Sequence, residues 1–165
     1  MAKDTLRKVL LSSAVVLLWV AAVVTSEVHG ATSVRDVKIA TKYAEARGIF
    51  NLVVPATPFL HTGDCSGAFY MKQKAILVSC GKGTSLDRLL SVYLHELGHS
   101  EQVILDNRTP EQAYEREVEA WNKGELLGRE LKVWNSIDKF EWELIKQIGL
   151  HSYRRRFQPT WNFIE

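Results

Sequence analysis

Two histidines and a glutamate at a fixed spacing are the residues of this 165-residue chain best suited to chemistry. His95, Glu96 and His99 form the pattern H-E-x-x-H. Helical residues four apart lie on one face, so His95 and His99 can direct two imidazole nitrogens at one Zn²⁺ ion. Glu96 would lie beside that ion, where it can accept a proton from a zinc-bound water as the general base of a peptidase. The spacing therefore predicts a catalytic zinc site.

The residues around this motif predict the helix that it needs. Large side chains recur at helical spacing on one face, at Leu86, Leu89, Leu90, Tyr93, Leu94 and Leu97. Thr84 or Ser85 could cap the N-terminus of this helix. The two histidines fall at the edge of the apolar face, where a half-buried metal would lie. Gly98 leaves room for backbone or substrate to approach closely.

A catalytic zinc ion usually has three protein ligands and one open position, so a third ligand must come from elsewhere. The extended pattern H-E-x-x-H-x-x-G-x-x-H is excluded, because Gln102 and Leu105 occupy its glycine and third histidine positions. The other common solution is a glutamate on the next helix. That predicted helix carries Glu115, Glu117 and Glu119, and the residues alone leave the choice among them open.

The order of these motifs resembles that of the ImmA/IrrE-type small zinc peptidases and their phage-encoded relatives, which belong to the gluzincin class. The resemblance covers roughly residues 34–131, and its matching segments are Gly67–Tyr70, Ala75–Val78, Leu94–His99 and Glu117–Trp121. It implies a zincin-like fold with Glu117 as the third zinc ligand. Glu115 is the second choice, since Glu119 would then lie one turn away to support a histidine. The chain departs from the family after Trp121, where the usual apolar stretch is absent, and in its export leader.

The chain as a whole predicts an α+β domain over residues 31–157, mostly helical, with a small antiparallel sheet beside the H-E-x-x-H helix. Helices are expected at 33–47, from 110 to about 131 and at 137–148, followed by a last turn or short helix at 150–157 and a tail at 158–165. Strands are expected at 51–55, 68–71 and 75–78. The strand directly before the zinc helix could hold an extended peptide at its edge, or a loop could cover that edge.

The two cysteines, Cys65 and Cys80, are predicted to form a disulfide. If the last two predicted strands pair antiparallel, both cysteines lie near the open ends of the hairpin, where a disulfide would join the strands. An exported chain with one cysteine pair fits this interpretation. Two free thiols are the alternative if the chain is not exported.

The first thirty residues have the form of an export signal. Lys3, Arg7 and Lys8 precede an uncharged run from Val9 to Val24. This pattern predicts either a cleaved secretory signal or an uncleaved membrane anchor, and both place the following domain outside the cytoplasm. The net charge of +2 gives no reason to expect a nucleic-acid partner.

These observations predict a zinc-dependent metallopeptidase that acts on protein or peptide substrates outside the cytoplasm. A tetrahedral oxyanion would also need a donor besides the metal. His151, Tyr153 and Arg154 are candidates for that role, and His61 and Tyr70 are weaker ones.

Two alternatives accompany this prediction. The chain could be a non-catalytic envelope or interaction protein that zinc stabilises, if a side chain such as Cys65 or His61 closes the fourth metal position. It could also be a lysis or envelope protein of a phage whose catalysis is directed at the cell wall.

Overall fold

The computed structural model describes residues 32–54, 60–103 and 109–157, with side chains up to residue 154. The chain in these ranges forms, in order, helix α1 (Val34–Ala46), strands β1 (Phe50–Val54), β2 (Cys65–Tyr70) and β3 (Ala75–Cys80), helices α2 (Leu86–Ser100) and α3 (Pro110–Glu130), a 3-10 turn (Trp134–Ser136) and helix α4 (Lys139–Phe157). The predicted α+β class is confirmed. The predicted leader at 1–30 and tail at 158–165 lie outside the described residues. Within those residues, no helix combines the length and apolar composition needed to cross a membrane.

The sheet has the strand order β1-β3-β2. Strands β2 and β3 form the predicted antiparallel hairpin, with Cys65 directly opposite Cys80. The expectation of a purely antiparallel sheet was wrong, because β1 pairs in parallel with β3. The strand that precedes the H-E-x-x-H helix was expected to have a free edge, and this was also wrong. That strand is β3, which is central in the sheet, so its backbone is paired on both sides. In the described part of the chain, β2 is the outer strand next to that helix.

Cys65 and Cys80 form the predicted disulfide, with their Cα atoms 4.0 Å apart. The bond joins β2 to β3 at the end of the hairpin farthest from its turn. Disulfides persist in oxidising compartments, so this bond favours an environment outside the cytoplasm.

Helix α2 lies at the centre of the core and contacts the sheet and all three other helices. Its residues from Leu86 to Gly98 are buried on every side except at Arg88, which is half-buried. Ser85 provides the N-cap, accepting a hydrogen bond from the Arg88 backbone N–H at 3.1 Å. The motif helix was predicted to be amphipathic, but it is enclosed because the sheet covers one side and α3 covers another. Its polar residues are therefore buried and need partners inside the protein.

Helix α3 begins as its sequence indicates. Thr109 is the N-cap, Pro110 is the first helical residue, and Thr109 and Gln112 form a reciprocal capping box. Helix α4 differs from expectation, because it continues through Gly149 instead of ending there. A Cβ atom at Gly149 would lie 3.7 Å from the ring of Trp121, so this residue faces that indole.

Glycines allow α2 and α3 to approach one another closely. A Cβ atom at Gly98 would overlap the carbonyl oxygen of Ala120, and one at Gly124 would lie 2.6 Å from the carbonyl oxygen of Leu94. Because the two backbones touch at these points, short side chains can reach between the helices. The expectation that Gly98 admits a neighbouring backbone is confirmed.

Candidate metal centre

Ligating atoms of three side chains converge between α2 and α3. His95 Nε2 lies 3.3 Å from Glu117 Oε2, and His99 Nε2 lies 3.4 Å from Glu117 Oε1. One ligand atom of each of the three residues lies within 4.8 Å of the others, so these residues could hold a metal ion. Two atoms that bind one ion at about 2.0–2.1 Å in tetrahedral geometry are about 3.3–3.4 Å apart. The observed spacing and the donor set of two imidazoles and a carboxylate therefore fit a metal centre.

The structure distinguishes the three candidate glutamates. Glu117 faces both histidines, whereas Glu115 is exposed. Glu119 lies toward the end of α2, where it bonds with Lys123 at 3.2 Å and accepts from Gln102 at 3.1 Å. Glu117 is the member of this set that reaches both imidazoles.

Gln102 orients His99, a role that the sequence analysis missed. Its Oε1 lies 2.8 Å from His99 Nδ1, and the same oxygen accepts from Arg116 Nε at 3.1 Å. The Gln102 amide nitrogen donates to the Arg116 carbonyl at 2.6 Å and to Glu119. With Oε1 as acceptor, Nδ1 of His99 carries the proton and Nε2 is left for a metal. The signal for this role was the position of Gln102 three residues after His99, within reach along a helix.

His95 is held by ring packing. Its imidazole stacks on the indole of Trp121 with ring centroids 4.1 Å apart, and Trp121 meets Trp142 edge-on at 5.0 Å. In the described part of the chain, the buried Nδ1 atom of His95 has no hydrogen-bond partner. Burial lowers the pKa of His95, and this favours the neutral imidazole that a metal requires.

The charges of the three candidate ligands are coupled. Burial would raise the pKa of Glu117, but hydrogen bonds from His95 and His99 outweigh burial and lower that pKa to about 2. Burial likewise lowers the pKa of His99, but the hydrogen bond and charge of Glu117 outweigh it and raise the pKa overall. Glu117 is therefore a carboxylate at neutral pH, the form that binds cations.

Glu96 lies next to these residues and is 5% exposed. Burial raises its pKa to about 7. Its carboxyl group lies over Gly67 of β2, where a Cβ atom would come within 2.5 Å of Oε1, and it accepts a hydrogen bond from the Phe69 backbone. A carboxyl group that titrates near neutral pH can both accept and return a proton.

One cavity of about 810 Å³ lies between β2 and α4. The three candidate ligands and Glu96 all line it. Its wall also includes Arg116 and Trp121, which sequence reasoning did not select, and an apolar side formed by Val92, Ile145 and Ile148.

Of the residues predicted as oxyanion donors, some lie in the cavity wall and others do not. Tyr153 lines the cavity, whereas His151 is exposed and is not in its wall. Arg154 donates to the Tyr114 hydroxyl at 2.6 Å, at the surface. His61 and Tyr70 are also exposed and outside the cavity wall. Cys65 lines the cavity but is in the disulfide, so it cannot close a metal site as a thiolate.

No protein-family model, curated protein or solved structure matches this chain. The resemblance to the ImmA/IrrE-type peptidases is therefore a hypothesis that rests on the motif residues alone. The fold and the site define an α+β domain with a candidate metal centre of two histidines and one glutamate.

Proposed function

We propose that this protein is a zinc-dependent metalloendopeptidase of the zincin type that acts outside the cytoplasm. The observation that carries the proposal is the convergence of His95, His99 and Glu117 beside a buried Glu96 in one open cavity. His₂Glu is a donor set of catalytic zinc sites, and the cavity leaves one side of the cluster accessible. A zinc ion bound there would acidify a water molecule and polarise a substrate carbonyl.

The chain's own residues supply the remaining chemistry. Glu96 accepts the proton of the attacking water and returns it to the leaving amine. The Phe69 backbone N–H and the contact with Gly67 hold the Glu96 carboxyl in place. Tyr153 lies in the cavity wall, where its side chain is a candidate to interact with the oxyanion.

Strand β2 is suited to bind an extended peptide. It is the outer strand of the described sheet, and Ser66, Gly67, Ala68 and Phe69 line the cavity. A peptide that pairs with this edge would run along the cavity that contains the candidate metal centre. The disulfide secures the same strand and supports the assignment to an oxidising compartment.

The Glu96→Gln variant tests the mechanism. We expect cleavage of casein to fall by about 100-fold or more, the usual contribution of general base catalysis, because an amide cannot take the proton. Metal content should stay near one zinc per chain by elemental analysis. Glu115→Gln, an exposed change on α3, is the matched control and should cleave like the wild type. A Glu96→Gln protein with wild-type activity would refute the role of Glu96, and a wild type without zinc would refute the proposed cofactor.

A further inference from the structure

Helix α4 exposes a row of apolar side chains that ends at the cavity. Phe140 is 75% exposed, Leu144 is 38% exposed and Ile148 is 58% exposed. Their spacing of four residues places them in one line on the helix surface. Single exposed apolar residues are common, but aligned ones form a continuous patch of the kind that marks an interaction site.

The row is continuous with the candidate active site. Ile148 belongs both to the row and to the cavity wall, and Ser152, one turn further along α4, also lines the cavity. Strand β2 forms another part of the same wall. A chain that leaves the cavity on the α4 side therefore meets Ile148 first, then Leu144, then Phe140.

The dimensions fit a polypeptide. The eight steps of helical rise from Phe140 to Ile148 span about 12 Å, which equals roughly four residues of an extended peptide. We infer that the Phe140–Leu144–Ile148 row binds the apolar part of a polypeptide substrate several residues away from the bond that is cleaved. This inference rests on the proposed function and names its substrate class. The enzyme would prefer polypeptides that carry apolar side chains several residues from the cleaved bond over short peptides.

The experiment compares two peptides that share a core sequence cleaved from casein. One carries an apolar extension, Leu-Phe-Ser-Leu, and the other carries a polar extension, Ser-Gln-Ser-Ser, with each extension tested on either end. We expect wild-type kcat/KM to be at least tenfold higher for the apolar extension on one of the two ends. The double variant Phe140→Ser/Leu144→Ser should remove most of this preference, because each lost apolar contact weakens binding by about fivefold.

Leu126→Ser is the matched control, because Leu126 is 65% exposed on α3 and is not part of the row. It should keep the wild-type preference. If the double variant keeps that preference, or if it lowers kcat/KM equally for both peptides, the inference is wrong.

A binding measurement separates this inference from the proposed function. Fluorescence anisotropy with the labelled apolar peptide and the uncleaving Glu96→Gln protein should show binding that the double change weakens. If the wild type cleaves nothing, the proposed function fails, and the anisotropy result still decides whether the row binds peptide. Loss of binding to phosphatidylglycerol vesicles with unchanged peptide affinity would assign the row to a membrane instead. A dimer that the double change dissociates, by sedimentation, would assign it to self-contact.

Discussion

Helix α2 carries one buried polar cluster toward the sheet and another toward α3. On the first side, the Tyr93 hydroxyl donates to Asn51 Oδ1, and the Asn51 amide donates to the Thr41 carbonyl at 3.2 Å. On the second side, the nitrogens of His95 and His99 converge on Glu117. Both clusters consist of buried polar groups in the same core, but their donor and acceptor atoms are arranged differently.

The difference shows which feature indicates a ligand site. In the sheet-side cluster, neutral donors and acceptors pair in sequence and end at a backbone carbonyl. In the α3-side cluster, one carboxylate lies between two imidazole nitrogens and all three groups face a cavity. Burial alone therefore does not identify a site, whereas convergence of metal-binding atoms on an accessible space does.

The largest expected effect is on the metal affinity of a Glu117→Ala protein. Changing a residue that only orients a metal ligand weakens metal binding by up to about 100-fold. Loss of the ligand itself should therefore weaken zinc binding by more than about 100-fold. Competition with a chromogenic chelator measures this affinity. The neighbouring exposed Glu115→Ala change should leave the affinity unchanged. Equal losses in both variants would show that Glu117 has no special place in the site.

A smaller effect is expected from Gln102→Ala. Because Gln102 fixes the ring of His99 without contacting the metal position, its loss should weaken zinc binding by about 10- to 100-fold. The same chelator competition applies, with Gln147→Ala on the surface of α4 as the control. An unchanged affinity in Gln102→Ala would mean that packing alone orients His99.

Asn51→Ala should act on stability and not on the metal. It removes the acceptor of the buried Tyr93 hydroxyl and the bond that the Asn51 amide donates to the Thr41 carbonyl, so the free energy of unfolding should fall by about 2 kcal/mol. Denaturation in urea measures this change. Asn135 is exposed, so the control variant Asn135→Ala should have little effect on stability. Weaker zinc binding in Asn51→Ala would contradict the separation of the two clusters.

Alkaline pH should affect the sheet-side cluster through Tyr93. Burial, with a smaller contribution from the charge of Glu45, raises the pKa of Tyr93 above its ordinary value of 10.0. The folded protein then keeps a proton that the unfolded chain releases. This contribution to stability is complete below about pH 10 and falls by about 1.4 kcal/mol per pH unit above it.

Urea unfolding between pH 9 and 11 tests this slope against a Tyr93→Phe protein. The phenylalanine variant lacks the titrating hydroxyl, so its stability should decline less steeply over that range. Parallel declines would show that other groups cause the alkaline loss.

The sequence was sufficient for the parts of the fold that depend on local pattern. The apolar spacing from Leu86 to Leu97 predicted α2, and helix α3 begins at residue 110 as expected. The hairpin and the Cys65–Cys80 disulfide followed from two short strands and one turn. Each of these features depends on residues that are close together in the chain.

The parts that sequence reasoning missed depend on contacts between distant segments. The parallel pairing of β1 with β3 brings together strands that are separated by the whole of β2. Gln102 is close to His99 in the chain, but the side chain that holds Gln102 in place, Arg116, belongs to α3. Helix α4 was expected to stop at Gly149, but Ile145 and Leu150 pack into the core on either side of this glycine and offset its low helix propensity. Glu117 was selected through a family resemblance, since periodicity alone left three glutamates open.

The contact between Gly98 and Ala120 has a consequence for how the site tolerates change. Neither residue carries a functional group, yet their backbones determine the gap across which Glu117 must reach two imidazoles. Adding a single methyl group at position 98 would force α3 outward, and the carboxylate would move with its helix. The spacing of the three donor atoms is therefore controlled by a residue that never touches them, and random mutagenesis would detect Gly98 as essential without any chemistry of its own.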